Sequence, residues 1–162
     1  MKILLPIDHS EFSQVALRTV ASLVRPDGNQ VRVLHVIEHP SAYVSADMFP
    51  HVVKHTAQME RDRVAETRVL VNRAAGMLRG AGFKAIGVVE KGDAKSVIVG
   101  HARKWGADLI VVGSHGLKGL KRVLMGSVSA AVIRDADCSV HVVRIPRNKN
   151  AARRKMRSGG RK

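Results

Sequence analysis

Hydrophobic positions change their period several times along the chain, and each change marks a new element. Ile3, Leu4, Leu5 and Ile7 form a short apolar run, the pattern of a strand covered on both faces. Phe12, Val15, Ala16, Thr19, Val20 and Leu23 then recur at spacings of three and four. This predicts an amphipathic helix, with Ser10 as N-cap and Pro26-Asp27-Gly28-Asn29 as the closing turn. Val31, Val33, Leu34, Val36 and Ile37 predict a second strand. The following stretch, which includes Tyr43, Met48 and Phe49, has no period and reads as cover for a cleft or an edge. A long polar helix follows from about Val52 to Arg79, with Met59, Leu70, Ala74, Met77 and Leu78 as its apolar stripe and Gly80 and Gly82 as its end.

The second half repeats the alternation. Ile86, Val88 and Val89 predict a third strand; Ala94, Val97, Ile98, Ala102 and Trp105 predict one helical face stopped by Gly106. Leu109 to Val112 is a fourth strand, Ser127 to about Arg134 a short helix, and Val140, Val142, Val143 and Ile145 a fifth strand. Strands alternating with helices predict an α/β fold: an open parallel sheet with helices on both faces and right-handed crossovers. No internal repeat or second domain is required.

Composition narrows the class. A chain of 162 residues is one domain and buries about two thirds of its unfolded surface, enough for an ordinary apolar core. The single cysteine, Cys138, forbids an intrachain disulfide and excludes cysteine-rich metal frameworks; at the start of a buried strand it reads as a structural thiol. The opening MKILLPID lacks a leader pattern, and no run approaches the length of a membrane span. A soluble, cytoplasmic protein is expected. The formal charge of +15 is uneven: residues 147–162 hold eight of the 28 lysines and arginines and none of the 13 acids. The division expected is a folded domain over 1–146 and a disordered basic tail over 147–162.

Ligands of such sheets bind at the carboxyl ends of the strands. The loop after the fourth strand is distinctive there: Gly113, Gly116, Gly126 and the hydroxyl of Ser127 run out of an apolar strand and into a helix. Glycines let backbone approach an anion and adopt positive φ, and the helix start adds unsatisfied N–H groups and a positive dipole end. Ser127 and Ser129 add hydroxyl donors. The plainer alternative is a turn shaped by Gly113 and Gly116, with Ser127 only an N-cap. The chain contains no G-x-x-x-x-G-K-[ST], and the loop after the first strand has no G-x-G-x-x-G, which disfavours P-loop and dinucleotide enzymes.

These segments resemble the universal stress protein family, of its adenine-nucleotide-binding kind. The resemblance rests on ILLPIDHSEFSQVAL, VRVLHVIE, GADLIVVGSHGLKGLKRVLMGSVSAAVI and CSVHVVR, and covers about residues 1–146. It implies an open five-stranded parallel sheet of order 3-2-1-4-5 with ATP, and room for Mg2+, in the cleft beside the first and fourth strands. Carried over, Pro6, Asp8 and the backbone of Val36 flank the adenosine, with Val112 and Gly113 nearby. His115, Gly116, Gly126, Ser127, Val128 and Ser129 surround ribose and phosphates. It also implies a homodimer paired through the fifth strand, Ser139 to Ile145.

The function expected is therefore that of a nucleotide-dependent regulatory or binding module in the stress response. No catalytic residue is assigned and at most slow ATP hydrolysis is foreseen, because apart from Asp8 no carboxylate is placed near the phosphates. The alternative class is a dimeric polyanion-binding protein that holds nucleic acid non-specifically through its tail. Lys118, Lys121 and Arg122 can neutralise phosphates or form a solvated face. His51 and His55, one helical turn apart, and His35 and His39 lack an evident third ligand, so no metal site is assigned. Asp8 as phosphoacceptor lacks the further acids and lysine that such a site uses.

Overall fold

The computed structural model describes residues 1–38, 50–116 and 125–145, the side chains of 50–57 excepted. The expectations on His39, Tyr43, Met48, Phe49, Lys118, Lys121, Arg122, the tail, and the side chains of His51 and His55 lie outside the described residues.

The alternation resolves into β1 (Lys2–Pro6), α1 (Glu11–Leu23), β2 (Gln30–Ile37), α2 (Pro50–Gly80), β3 (Lys84–Lys91), α3 (Ala94–Trp105), β4 (Leu109–Gly113), α4 (Ser127–Asp135) and β5 (Ser139–Val143). The five strands form one parallel sheet of order β3-β2-β1-β4-β5. Because successive strand residues point to opposite faces, β1 feeds two cores at once. Ile3, Leu5 and Ile7 pack with Ala16, Leu17 and Val20 of α1 and with Val71, Ala75 and Leu78 of α2. Leu4 packs on the other face with Ile98, Val99 and Ala102 of α3 and Val132 of α4.

Local signals end the helices where the sequence places them. The Ser10 hydroxyl accepts the Ser13 N–H as the N-cap of α1, and Gly106 closes α3 in the left-handed region at φ 66°. The stripe of α2 differs from expectation. Met59 and Met77 are exposed, and the buried face is Thr67, Val71, Ala74, Ala75 and Leu78. The Thr67 hydroxyl donates to the Arg63 carbonyl at 2.7 Å, which lets a polar residue sit against the sheet. The fifth strand ends at Val143, two residues before Ile145.

Pro6 shapes the middle of the sheet. The Ile7 N–H donates to the Leu34 carbonyl at 2.8 Å, so the alternate residues Leu4 and Pro6 turn their backbone toward β4. Pro6 has no N–H to give. The β1–β4 register accordingly stops at Leu4↔Ile110, while β1 runs on to Pro6 and β4 to Gly113. The β1–β4 ladder is thus open at its carboxyl end, at the point where the chain order reverses, the place where open α/β sheets hold ligands.

Candidate functional site

Two loops face each other across this opening. After β1, Asp8 is clamped by the first turn of α1. Its Oδ1 accepts the Ser10 N–H at 3.0 Å, the Ser10 hydroxyl, and the Ser13 hydroxyl at 2.6 Å, while its own N–H donates to Ser13 Oγ at 2.8 Å. Ser10 and Ser13 are buried. Their role escaped the sequence reading, which took Ser10 only as a cap; the signal is the D-x-S-x-x-S spacing, an acid followed by hydroxyls on one side of a helix start. The clamp leaves Oδ2 directed across the opening, within 2.9 Å of where a Cβ on Gly116 would stand.

After β4, the loop leaves and returns through a short brace. The Gly126 N–H donates to the Ser114 carbonyl at 2.7 Å and the buried Ser129 hydroxyl donates to the Gly113 carbonyl at 2.6 Å. Ser129 thus ties the loop's exit to its entry rather than aiming its hydroxyl outward. Gly126 is the N-cap of α4 at φ −69°, with no side-chain cap, and Ser127 is the exposed first helical residue. Ser127 is therefore not the N-cap of the plainer alternative. The opening N–H groups of this nine-residue helix find no intrahelical carbonyl and carry the positive end of its dipole. Val128 packs into the second core.

Positive φ is not what the glycines supply. Neither Gly113, Gly116 nor Gly126 adopts it; what each provides is space. Val112 and Gly113 are buried, His115 is half-buried with its Nδ1 3.1 Å from Ser114 Oγ and its ring against Phe12 at 5.1 Å, and Gly116 is exposed at the rim. Val36, half-buried, lies two residues beyond the last β1–β2 pair, Pro6↔Leu34, at the same mouth. The fold therefore brings Asp8, His115, Gly116 and Gly126 together at one opening, while Val128 and Ser129, expected to surround the phosphates, face the interior. Among the described residues no group of three His, Cys, Asp or Glu side chains could hold a metal ion.

Below the Asp8 loop, His35 Nδ1 lies 2.8 Å from the Ile7 carbonyl and its ring meets that of His9 edge-on at 6.0 Å. Burial lowers the His35 pKa below its ordinary 6.5; the Ile7 carbonyl opposes this, and His9 adds to it. Protons are then bound more readily by the unfolded chain, so this residue's contribution to stability is complete above about pH 6.5 and is lost as pH falls toward the lower folded value. Melting temperature should decline on acidification from about pH 7 to about pH 5, and His35→Gln should flatten that decline. An unchanged slope in the variant would assign the acid sensitivity to other groups.

Comparison with known proteins bears on this architecture. The universal stress protein family matches residues 1–144. Universal stress protein A homolog 2 of Coxiella burnetii is 37% identical over 116 residues, covering 72% of this chain and 75% of that protein. The solved structure of MJ0577, a universal stress protein of Methanocaldococcus jannaschii, superposes with a TM-score of 0.76 at 29% identity, covering 91% of this chain and 97% of that one. A universal stress protein family member from Arabidopsis thaliana, solved with AMP bound, superposes at 0.64 with 23% identity, covering 93% and 94%.

Proposed function

Because the chain belongs to the universal stress protein family, we propose that it binds an adenine nucleotide, ATP foremost, between the carboxyl ends of β1 and β4. We read it as a binding module whose liganded state other proteins sense. The observation that carries this reading is the opening itself. Pro6 ends the β1–β4 ladder, Asp8 and Gly116 face each other across it, and α4 opens at Ser127 with N–H groups that find no intrahelical carbonyl. Carboxylate and backbone at the β1 side suit the hydrogen-bonding edges of a nucleoside; glycine backbone and a helix N-terminus on the β4 side suit phosphate. The AMP held by the Arabidopsis relative supports the same class of ligand. Isothermal titration with ATP and AMP tests the proposal: saturable binding is expected, and its absence for both nucleotides would overturn it.

Asp8 has two duties in this reading, and variants separate them. Asp8→Ala removes the acceptor of Ser10 and Ser13, so it should lower stability by about 1–3 kcal/mol through the hydroxyls left unpaired as well as weaken ATP binding. Asp8→Asn keeps an acceptor oxygen and loses the charge. It should retain most of the stability yet show a reduced ATP-dependent rise in melting temperature. A full ATP shift in Asp8→Asn would remove the carboxylate charge from the site.

We further propose a homodimer across β5. The Val143 carbonyl accepts the Ser114 N–H at 2.8 Å, so the alternate residues Val140 and Val142 turn their backbone groups to the sheet's open edge. Both are half-buried valines, an apolar edge of the kind that pairs. Val142→Pro removes an outward donor while sparing the β4 ladder, and light scattering should then report monomers. A dimer that persists in this variant would place the interface elsewhere.

A further inference from the structure

The opposite edge of the sheet, β3, carries a second surface remote from the β1–β4 opening. The Gly92 N–H donates to the Ile37 carbonyl at 3.1 Å. This sets the parity of β3, because alternate residues of a parallel strand turn both backbone groups to the same side. Ala85, Gly87, Val89 and Lys91 therefore present theirs outward. Ala85 is already taken: its carbonyl accepts from Arg79 Nη1 of α2 at 2.9 Å. Among the described residues, Gly87, Val89 and Lys91 have no such cap, and three successive outward positions form a template for another strand.

α2 roofs this template. A groove of about 480 Å3 lies between helix and edge, lined by Val64, Arg68, Val71, Asn72, Gly87 and Val89 among others. A Cβ on Gly87 would stand 2.8 Å from Val71 Cγ2 and 2.9 Å from the Val71 carbonyl carbon, so the absence of a side chain there is what lets α2 lie so near the edge. A neighbouring groove continues along Arg61, Val64, Arg68 and Lys91. Its one acid, Glu60, accepts from Lys91 Nζ at 2.7 Å. Exposed cations thus flank an apolar floor, and on the other face Ile86 stands 53% exposed, where an added strand would cover it.

We propose that the β3 edge receives an extended acidic peptide segment as a sixth strand, its backbone on Gly87, Val89 and Lys91 and its carboxylates on Arg61 and Arg68. Main-chain pairing supplies affinity in this mode and the flanking charges choose the partner. A second copy of this chain fits poorly, because edge-to-edge pairing would oppose Arg68 and Lys91 to their own kind. The proposal does not rest on the nucleotide reading.

The test is a nuclear magnetic resonance titration of the full-length 15N-labelled chain with an end-blocked heptapeptide of alternating Glu and Val. Two further titrants are the same peptide N-methylated at every residue and oligothymidylate. The alternating peptide should shift the amides of Gly87, Val89 and Lys91 and slow their exchange. N-methylation of the peptide, Val89→Pro and Arg68→Glu should each weaken binding about tenfold, as expected for lost hydrogen bonds or a reversed charge. Should Val89→Pro fail to fold, the N-methylated peptide and Arg68→Glu carry the same test. Any one of four results would overturn the proposal. These are no binding, shifts confined to residues outside the β3 edge, indifference to N-methylation, or equal affinity for oligothymidylate.

Discussion

Gly126→Val and Gly116→Val should each weaken ATP binding by about a hundredfold, the loss expected when two hydrogen bonds to a charged group are removed. At Gly126 the obstruction is backbone on backbone: a Cβ would stand 3.3 Å from His115 Cα and 3.4 Å from the Ser114 carbonyl oxygen. The residue cannot retreat, because its N–H is held by that same Ser114 carbonyl at 2.7 Å. Valine's two γ carbons would enlarge the obstruction and push the start of α4 away from the glycine loop. At Gly116 the Cβ would stand 2.9 Å from Asp8 Oδ2. A carboxylate is normally free to swing aside, but Oδ1 is clamped by Ser10 and Ser13. The valine would therefore either occupy the opening or tear Asp8 from its clamp. Since neither glycine has positive φ, the damage comes from filled space, and alanine should fall between glycine and valine at both positions. Titration calorimetry with ATP, alongside melting curves without ligand, separates lost binding from lost fold. Parent-like affinity in either valine variant would remove that glycine from the phosphate-binding surface.

Most of the architecture was legible because its signals are local. A buried parallel strand announces itself as a run such as Ile3-Leu4-Leu5. A helix start needs only Ser10, and a helix end only Gly106 at φ 66°. The stripe of α2 was not legible in the same way. Its packing face is built from Thr67, Val71, Ala74, Ala75 and Leu78, small residues that let helix and sheet approach, so hydropathy alone undervalued it and favoured the larger Met59 and Met77. At the site, the glycine spacing marked the loop correctly, yet the reason differed: close approach replaced positive φ. Ser13 was missed because its partner Asp8 lies five residues back across a strand–helix turn. The pairing exists only once β1 and α1 have folded together. Pro6, expected only beside the adenosine, shows its part in ending the β1–β4 ladder once the register reveals which neighbour it faces.

The tightest coupling between fold and site runs through Gly113, and Gly113→Val should lower stability by about 3 kcal/mol, the upper range for overpacking a closed core position. Gly113 is the last residue of β4, and a Cβ there would stand 2.7 Å from Phe12 Cβ, 3.0 Å from the Phe12 carbonyl carbon and 3.1 Å from its oxygen. Two of these three contacts are main-chain atoms, so no rotamer change at Phe12 relieves them; the first turn of α1 itself must move. That turn also holds Ser10 and Ser13, the residues that aim Asp8, while the Phe12 ring packs on His115 of the opposite loop. The Gly113 carbonyl moreover accepts the Ser129 hydroxyl at 2.6 Å, so displacement of β4 would loosen the start of α4. Melting temperature should fall by about 6–12 °C, the shift that such a loss produces in a domain of this size. The surviving folded fraction should bind ATP more weakly than the parent, because both walls of the opening have shifted. A variant that melts with the parent would show that α1 and β4 separate freely, and Asp8 would then owe its position to the Ser10–Ser13 clamp alone.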